Sequence, residues 1–388
     1  MKKKKICIVT STRAEFYLLK NLIVSIKNNS NFKSNLIVTG SHISKKFGNT
    51  IFEIKRNNLN INSVIKFNLN KDDRLSLTQA MGDTLKLCSK VLSKNRPDII
   101  ILTGDRYEML VFAIASLMLS IPIAHIHGGE VTSGAIDDSI RHAITKMAHL
   151  HFVCNNTYKK RVRQLGEHPS KIYNVGSLGI DNLSRIGIES RKNLQKFLKF
   201  KLQKKNLLVT FHPETNQPGK NKKYIKILID ALSKFKEANI LFTMPNADPE
   251  YNIILSEIIK FCKKNSNVNL IKNLGDKYFK TCVHFFDCLI GNSSSGIIEV
   301  PYLKKSTINI GDRQSGRLMS KSIVNTKINM KDILKAIKKI NSKSFQSNLK
   351  YNKSLYGGPG TVRKIISVLK KTQFEKLIKD KKFYDLNN

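Results

Sequence analysis

A chain of 388 residues is too long for one ordinary core and suits two domains of roughly 150–200 residues each. Its 41% hydrophobic and 25% charged content excludes a disordered or fibrous chain. The formal charge of +40 comes from lysines spread along the whole length, without a zinc spacing, an RNA-recognition signature or an aromatic-interleaved basic strand. The reading is therefore no nucleic-acid partner, with a positive field that still attracts a phosphorylated substrate.

In chain order, the opening "MKKKK" is followed by only five apolar residues, "ICIVT", too few for a secretory signal. Short β-branched runs then alternate with segments of helical period: strands are expected at "KICIVT", "SNLIVTG", "DIIILTG", "IPIAHIH", "LHFVC" and "IYNVGS". The apolar stretch 109–126, "MLVFAIASLMLSIPIAHI", reads as a buried helix running into a buried strand, since its serines, Pro122 and polar flanks do not suit a membrane span. Charged helical sequence without a strand follows at 183–203, and the alternation restarts with "NLLVTFHP", "NILFTMPN", "NVNLIKN", "CLIGNSSS" and "STINIGD". A Gly/Pro turn then introduces a terminal helix. The fold class expected is α/β, with two Rossmann-like, doubly wound parallel-sheet domains. They occupy 1–180 and 204–355, with the hinge between about 178 and 204, and the 356–388 helix packs back on the first domain. Six scattered cysteines with no CxxC read as reduced core residues of a cytoplasmic protein.

Doubly wound sheets bind ligands beyond the carboxyl ends of their strands. Polar clusters follow the strands here: "VTSTRAE", "TGDRYE", "HGGE", "FHPET", "MPNAD" and "GNSSSG". In "GNSSSGIIEV" the small residues Ser293, Ser294 and Gly296 let backbone N–H groups and hydroxyls approach a phosphate at a helix N-terminus, while Glu299, one turn on, suits the two hydroxyls of a ribose. The bland alternative is a plain serine cap. No GxGxxG or GxxxxGK[ST] is present, so neither a dinucleotide cofactor nor a P-loop is expected. Arg13, Arg106 and Arg313 are cations suited to phosphate oxygens.

The stretch 125–142, "HIHGGEVTSGAIDDSIRH", gathers His127, Glu130, Asp137, Asp138, Arg141 and His142. A metal is the obvious suspicion, but no HExxH-like spacing accompanies the HxH, whose side chains should leave a strand on one face. Acid/base work fits better: carboxylates crowded near Asp105 would have their pKa values pushed apart, one group protonated and one ionised.

With these motifs in this order, the chain resembles the hydrolysing UDP-N-acetylglucosamine 2-epimerases of sialic-acid biosynthesis. "TSTRAEF", "VTGSH", "FGNT", "GDRYE", "HIHGGE", "IDDSIRHAITKMAHLH", "FHPET", "GNSSSGIIEV" and "INIGDRQSGR" carry the likeness over nearly the full length. The resemblance implies a GT-B-like fold, a UDP-sugar in the interdomain cleft, no metal or other cofactor, no membrane partner and a homo-oligomer, dimer or tetramer. It implies loss of UDP by elimination to a 2-acetamidoglucal, then hydration to N-acetylmannosamine. Asp105, Asp137, Asp138 and His212 match positions held to be catalytic in the family, and Arg13, Asn246, Asp248, Ser293, Ser294, Glu299 and Arg313 match nucleotide-contacting ones. Several relatives carry a carboxylate where this chain has His127, which leaves the proton-transfer role open among His127, Glu130 and Asp137. Tyr17 stands where the animal enzyme has a smaller polar residue. The second expectation within the family is a 2-epimerase of a 2,4-diacetamido-trideoxy nucleotide sugar, on the way to a legionaminic-type acid. From another class stands a GT-B glycosyltransferase.

Overall fold

The computed structural model describes residues 3–44, 49–68, 73–132, 136–246 and 248–386. Phe47 and Gly48 of "FGNT" and Ala247 of "MPNAD" lie outside the described residues. The chain divides into two compact units: residues 1–130, 137–181 and 359–388 form the first, and 131–136 with 182–358 the second. Residues 182–203 join the second unit, where Lys280 Nζ donates to Leu183 O (2.8 Å) and Glu189 N to Thr281 Oγ1 (3.1 Å).

The first unit is built on β1 (Lys4–Thr10), β2 (Phe32–Val38), β3 (Ser63–Val64), β4 (Ile99–Thr103), β5 (Ile123–Ile126), β6 (Leu150–Val153) and β7 (Ile172–Asn174). They lie in the order β3-β2-β1-β4-β5-β6-β7, all parallel. Both faces of this sheet are covered, which is why its strands read as continuous apolar runs. Successive side chains of a strand point to opposite faces. Ile6 and Ile8 accordingly join one core with Phe16, Leu19 and Leu22 of the helix Arg13–Lys27, while Cys7 and Val9 join the other with Met109 and Phe112 of the helix Tyr107–Met118. The helix Thr361–Lys371 belongs to the first core through Val362, Ile365 and Leu369. Asp181 holds its N-terminus, accepting from Gly360 N (2.7 Å) and Val362 N (2.9 Å).

The second unit repeats the scheme with β8 (Lys205–Thr210), β9 (Ala238–Thr243), β10 (Val268–Ile271), β11 (Cys288–Gly291), β12 (Ser306–Ile310) and β13 (Ile323–Thr326). Their order is β10-β9-β8-β11-β12-β13, again parallel. Leu207 and Val209 face one core and Leu208 the other. This is the doubly wound, GT-B-like class of fold. In each sheet the winding reverses once, between β1 and β4 and between β8 and β11, and a switch point of that kind opens a crevice beyond the strand ends. Among the described residues no helix is long and apolar enough to cross a membrane, and no cysteine forms a disulfide.

Candidate active site

At the first switch point β1 leads through Ser11 and Thr12 into the helix Arg13–Lys27, whose start Thr12 caps by accepting from Glu15 N (3.2 Å). Glu15 turns back to accept from Ser11 N (3.0 Å) and Ser11 Oγ (2.7 Å). Burial raises its pKa to about 7, helped by the charge of Glu108 and opposed by the Ser11 hydrogen bonds and Arg106. Arg106 in turn donates from Nε to Glu108 Oε2 (3.0 Å). Arg13, at the head of the helix, has its pKa lowered by burial, with Glu53 and Tyr17 acting the other way.

Beyond β4, Asp105 pairs with Arg141 of the helix Asp137–Met147. The Arg141 side chain is 1% exposed, and its guanidinium also donates to Asp138 Oδ1 (3.2 Å) and Glu130 O (3.1 Å). One buried cation therefore ties the ends of β4 and β5 to the first turn of the next helix. His142 Nε2 lies 3.6 Å from Asp138 Oδ2. Asp137, half-buried, opens the same helix.

The two histidines of "HIH" do not share a face. His125 ends in a fully buried site, Nε2 against Gly104 O (2.7 Å) and Nδ1 against Thr145 Oγ1 (3.0 Å), and burial lowers its pKa to about 3. β5 stops at Ile126, and His127 takes a left-handed φ of 68°, which breaks the strand alternation and sends its ring elsewhere. His127 Nδ1 sits 2.8 Å from Glu130 Oε1 and 3.0 Å from Cys154 Sγ, beyond β6. These three side chains are the one group among the described residues whose atoms could jointly take a metal ion, lying within 4.8 Å of one another; they are hydrogen-bonded among themselves. Gly129 makes the tight turn possible: at φ 76° a Cβ would meet Tyr158 O at 2.6 Å.

At the second switch point, Asn292 after β11 clamps the chain after β8, accepting from His212 N (2.7 Å) and donating to His212 O (2.9 Å). His212 Nδ1 accepts from Asn246 N (3.0 Å), so the ring proton belongs on Nε2, and burial beside Arg313 holds the imidazole neutral, its pKa well below the ordinary value. Arg313 donates to Asn292 O (3.3 Å) and faces Asp248 Oδ2 at 3.8 Å. Ser293 and Ser294 lead into the helix Ser295–Tyr302, which presses on β12 so closely that a Cβ on Gly296 would lie 2.7 Å from Thr307 Cγ2. Glu299, on that helix, is buried. The structure thus brings His212, Asn246, Arg313 and Asp248 into direct or shared contact and places Ser293, Ser294 and Glu299 on the adjoining turn and helix.

The family model described as UDP-N-acetylglucosamine 2-epimerase matches residues 24–370. The chain belongs to the UDP-N-acetylglucosamine 2-epimerase family. It is 42% identical, over the full length of both chains, to the "GDP/UDP-N,N'-diacetylbacillosamine 2-epimerase (hydrolyzing)" of Campylobacter jejuni. It is 36% identical to polysialic acid biosynthesis protein P7 of Escherichia coli, over 99% of this chain and 98% of that one. The crystal structure of UDP-GlcNAc 2-epimerase from Neisseria meningitidis bound to UDP-GlcNAc has the same fold, with a TM-score of 0.79 at 16% identity, covering 95% of this chain and all of that one.

Four buried groups of this epimerase-family chain are not singled out by sequence reasoning. Glu15 and Glu108 lie inside the quoted motifs "STRAE" and "GDRYE", so the signal is present in the strand-end clusters, but nothing in the pattern marks these two carboxylates as buried. Cys154 had none: it lies 27 residues from His127 and meets it only because β6 pairs with β5. Glu214 of "FHPET" is likewise buried; burial first, then Asp312, raises its pKa, while Arg313 and the backbone N–H groups of 312 and 313 oppose.

Proposed function

We propose that the chain is a hydrolysing 2-epimerase of a UDP-linked 2-acetamido sugar, using water to release UDP and the free 2-epimer. The observation that carries this is the full-length 42% identity to a hydrolysing 2-epimerase, joined to acid/base side chains gathered beyond β4 and β5.

In this reading the second unit holds the nucleotide. Neutral His212, donating from Nε2, Arg313, and the hydroxyls and N–H groups of the 293–296 turn stabilise the diphosphate as it gains charge, and Glu299 accepts the ribose hydroxyls. Asn246 and Asp248 are assigned to the nucleotide, and Arg13 and Arg106 are cations suited to phosphate oxygens. The first unit supplies the proton transfers. The C2–H pair becomes the C1=C2 double bond while the C1–O pair leaves with UDP, giving a 2-acetamidoglucal. Water then delivers hydroxyl to C1, and C2 receives a proton on the opposite face. Asp105, Asp137, Asp138, His127 and Glu130 are the groups for these steps, with Arg141 fixing the geometry of Asp105 and Asp138. No step needs a metal or other cofactor.

The Campylobacter relative gives the 2,4-diacetamido sugar at least as much weight as N-acetylglucosamine, the first expectation. Comparing kcat/KM for UDP release from the two nucleotide sugars decides between them. The 2,4-diacetamido substrate is expected to be preferred at least tenfold; preference for UDP-N-acetylglucosamine would assign the protein to the sialic-acid branch, and no UDP release from either would overturn the reading.

A further inference from the structure

Resting on that epimerase reading, we infer that His127 Nε2 is the atom that takes the C2 proton, with Glu130 its positioning residue and Cys154 the thiol that holds Glu130. Four observations converge. Glu130 Oε1, buried, lies 2.8 Å from His127 Nδ1, and a carboxylate there accepts only, so the ring proton sits on Nδ1 and the Nε2 lone pair is left open. Among the described residues Nε2 has no hydrogen-bond partner although His127 is only 8% exposed; a buried imidazole nitrogen is seldom left so unless a ligand completes it. The backbone at His127 is left-handed, a conformation unfavourable for a non-glycine residue, and it breaks the strand alternation at the residue whose ring meets Glu130. Cys154 Sγ donates to Glu130 Oε1 at 3.4 Å, so that oxygen is pinned from two sides.

The arrangement is that of a histidine base oriented by a carboxylate. When Nε2 takes the C2 proton, the C–H electron pair enters the C1=C2 bond, UDP departs with the C1–O pair, and Glu130 stabilises the imidazolium. The proton that returns to C2 comes from a second group, since the two faces differ.

The first test is made on unmutated protein without substrate: nitrogen-15 NMR of histidine-labelled enzyme reads which ring nitrogen of His127 carries the proton. Proton on Nδ1 is expected, and proton on Nε2 would overturn the assignment whatever sugar the enzyme uses. The second is a double-mutant cycle. His127→Gln is expected to lower kcat at least 1000-fold with UDP affinity within twofold, and Glu130→Gln to lower it 10- to 100-fold alone but not at all in the His127→Gln background. An equal loss from Glu130→Gln in both backgrounds would make Glu130 an independent or merely structural residue. Cys154→Ala, which removes the donor, should lower kcat about three- to tenfold with UDP affinity within twofold, and Cys154→Ser, which keeps a donor, should restore most of it; no loss in Cys154→Ala, or an equal loss in both variants, would contradict the supporting role.

Discussion

Arg141→Lys is the perturbation that most directly probes how the first unit's acids are held. The arginine fork serves three acceptors at once, the Asp105 carboxylate, Asp138 Oδ1 and Glu130 O, and its side chain is 1% exposed. A lysine ammonium is a point charge that keeps the sign but reaches one of the three well. Each hydrogen bond to a charged group is worth about 1.5–3 kcal/mol, so losing two costs about 3–6 kcal/mol. Asp105 and Asp138 are 23% and 25% exposed, and water replaces part of the loss, which brings the expectation to about 2–4 kcal/mol. Thermal unfolding followed by circular dichroism should show a melting point lower by about 5–15 °C, at roughly 2–4 °C per kcal/mol for units of this size. Turnover should fall about 100-fold, the usual effect of an ångström-scale misplacement of reacting groups, while UDP affinity, assigned to the second unit, stays within twofold. Near-normal turnover in Arg141→Lys would refute the claim that the fork positions the carboxylates.

Glu15 titrates at about 7 in the folded chain against an ordinary 4.5, so the folded state binds the extra proton and stability should fall as pH rises from about 4.5 to 7. That rise from 4.5 to about 7 corresponds to about 3 kcal/mol, and Glu15→Gln should flatten the slope in urea unfolding; an unchanged slope would reject the buried-acid explanation. Asp181→Asn leaves one of the Gly360 and Val362 N–H groups without an acceptor, costing about 1–3 kcal/mol, and hydrogen exchange over 361–371 should quicken while exchange in β8–β13 does not. Asp105→Asn should lose turnover more than 100-fold with UDP binding intact, whereas Glu299→Ala should weaken UDP binding at least tenfold by calorimetry. The opposite pairing of effects would exchange the roles assigned to the two units.

Eleven of the strands were legible because burial on both faces leaves apolar, β-branched runs such as "DIIILTG" and "NLLVTFHP". β3 was missed because it is two residues long, and β13 because "IVNT" is half polar. The polar clusters at strand ends were readable as a series, since the doubly wound order sends chemistry to those ends. What pattern reasoning could not supply was contact across strands. Cys154 reads from sequence as an inert core thiol, and Arg141 reads as one member of the acid/base cluster, with no sign in the pattern that its side chain is buried and ties Asp105, Asp138 and Glu130 O together. The "HIH" pair was misjudged for a local reason: alternation was extended one residue past the end of β5, where the backbone of His127 turns left-handed.

The central claim is hydrolysis with inversion at C2 and no metal. It is tested most directly by incubating the protein in D2O with EDTA and each of the two UDP-sugars, following products by proton NMR. UDP together with a free 2-epimerised sugar carrying deuterium at C2 is expected. Release of a sugar of unchanged C2 configuration with its proton retained, or activity abolished by EDTA, would contradict it.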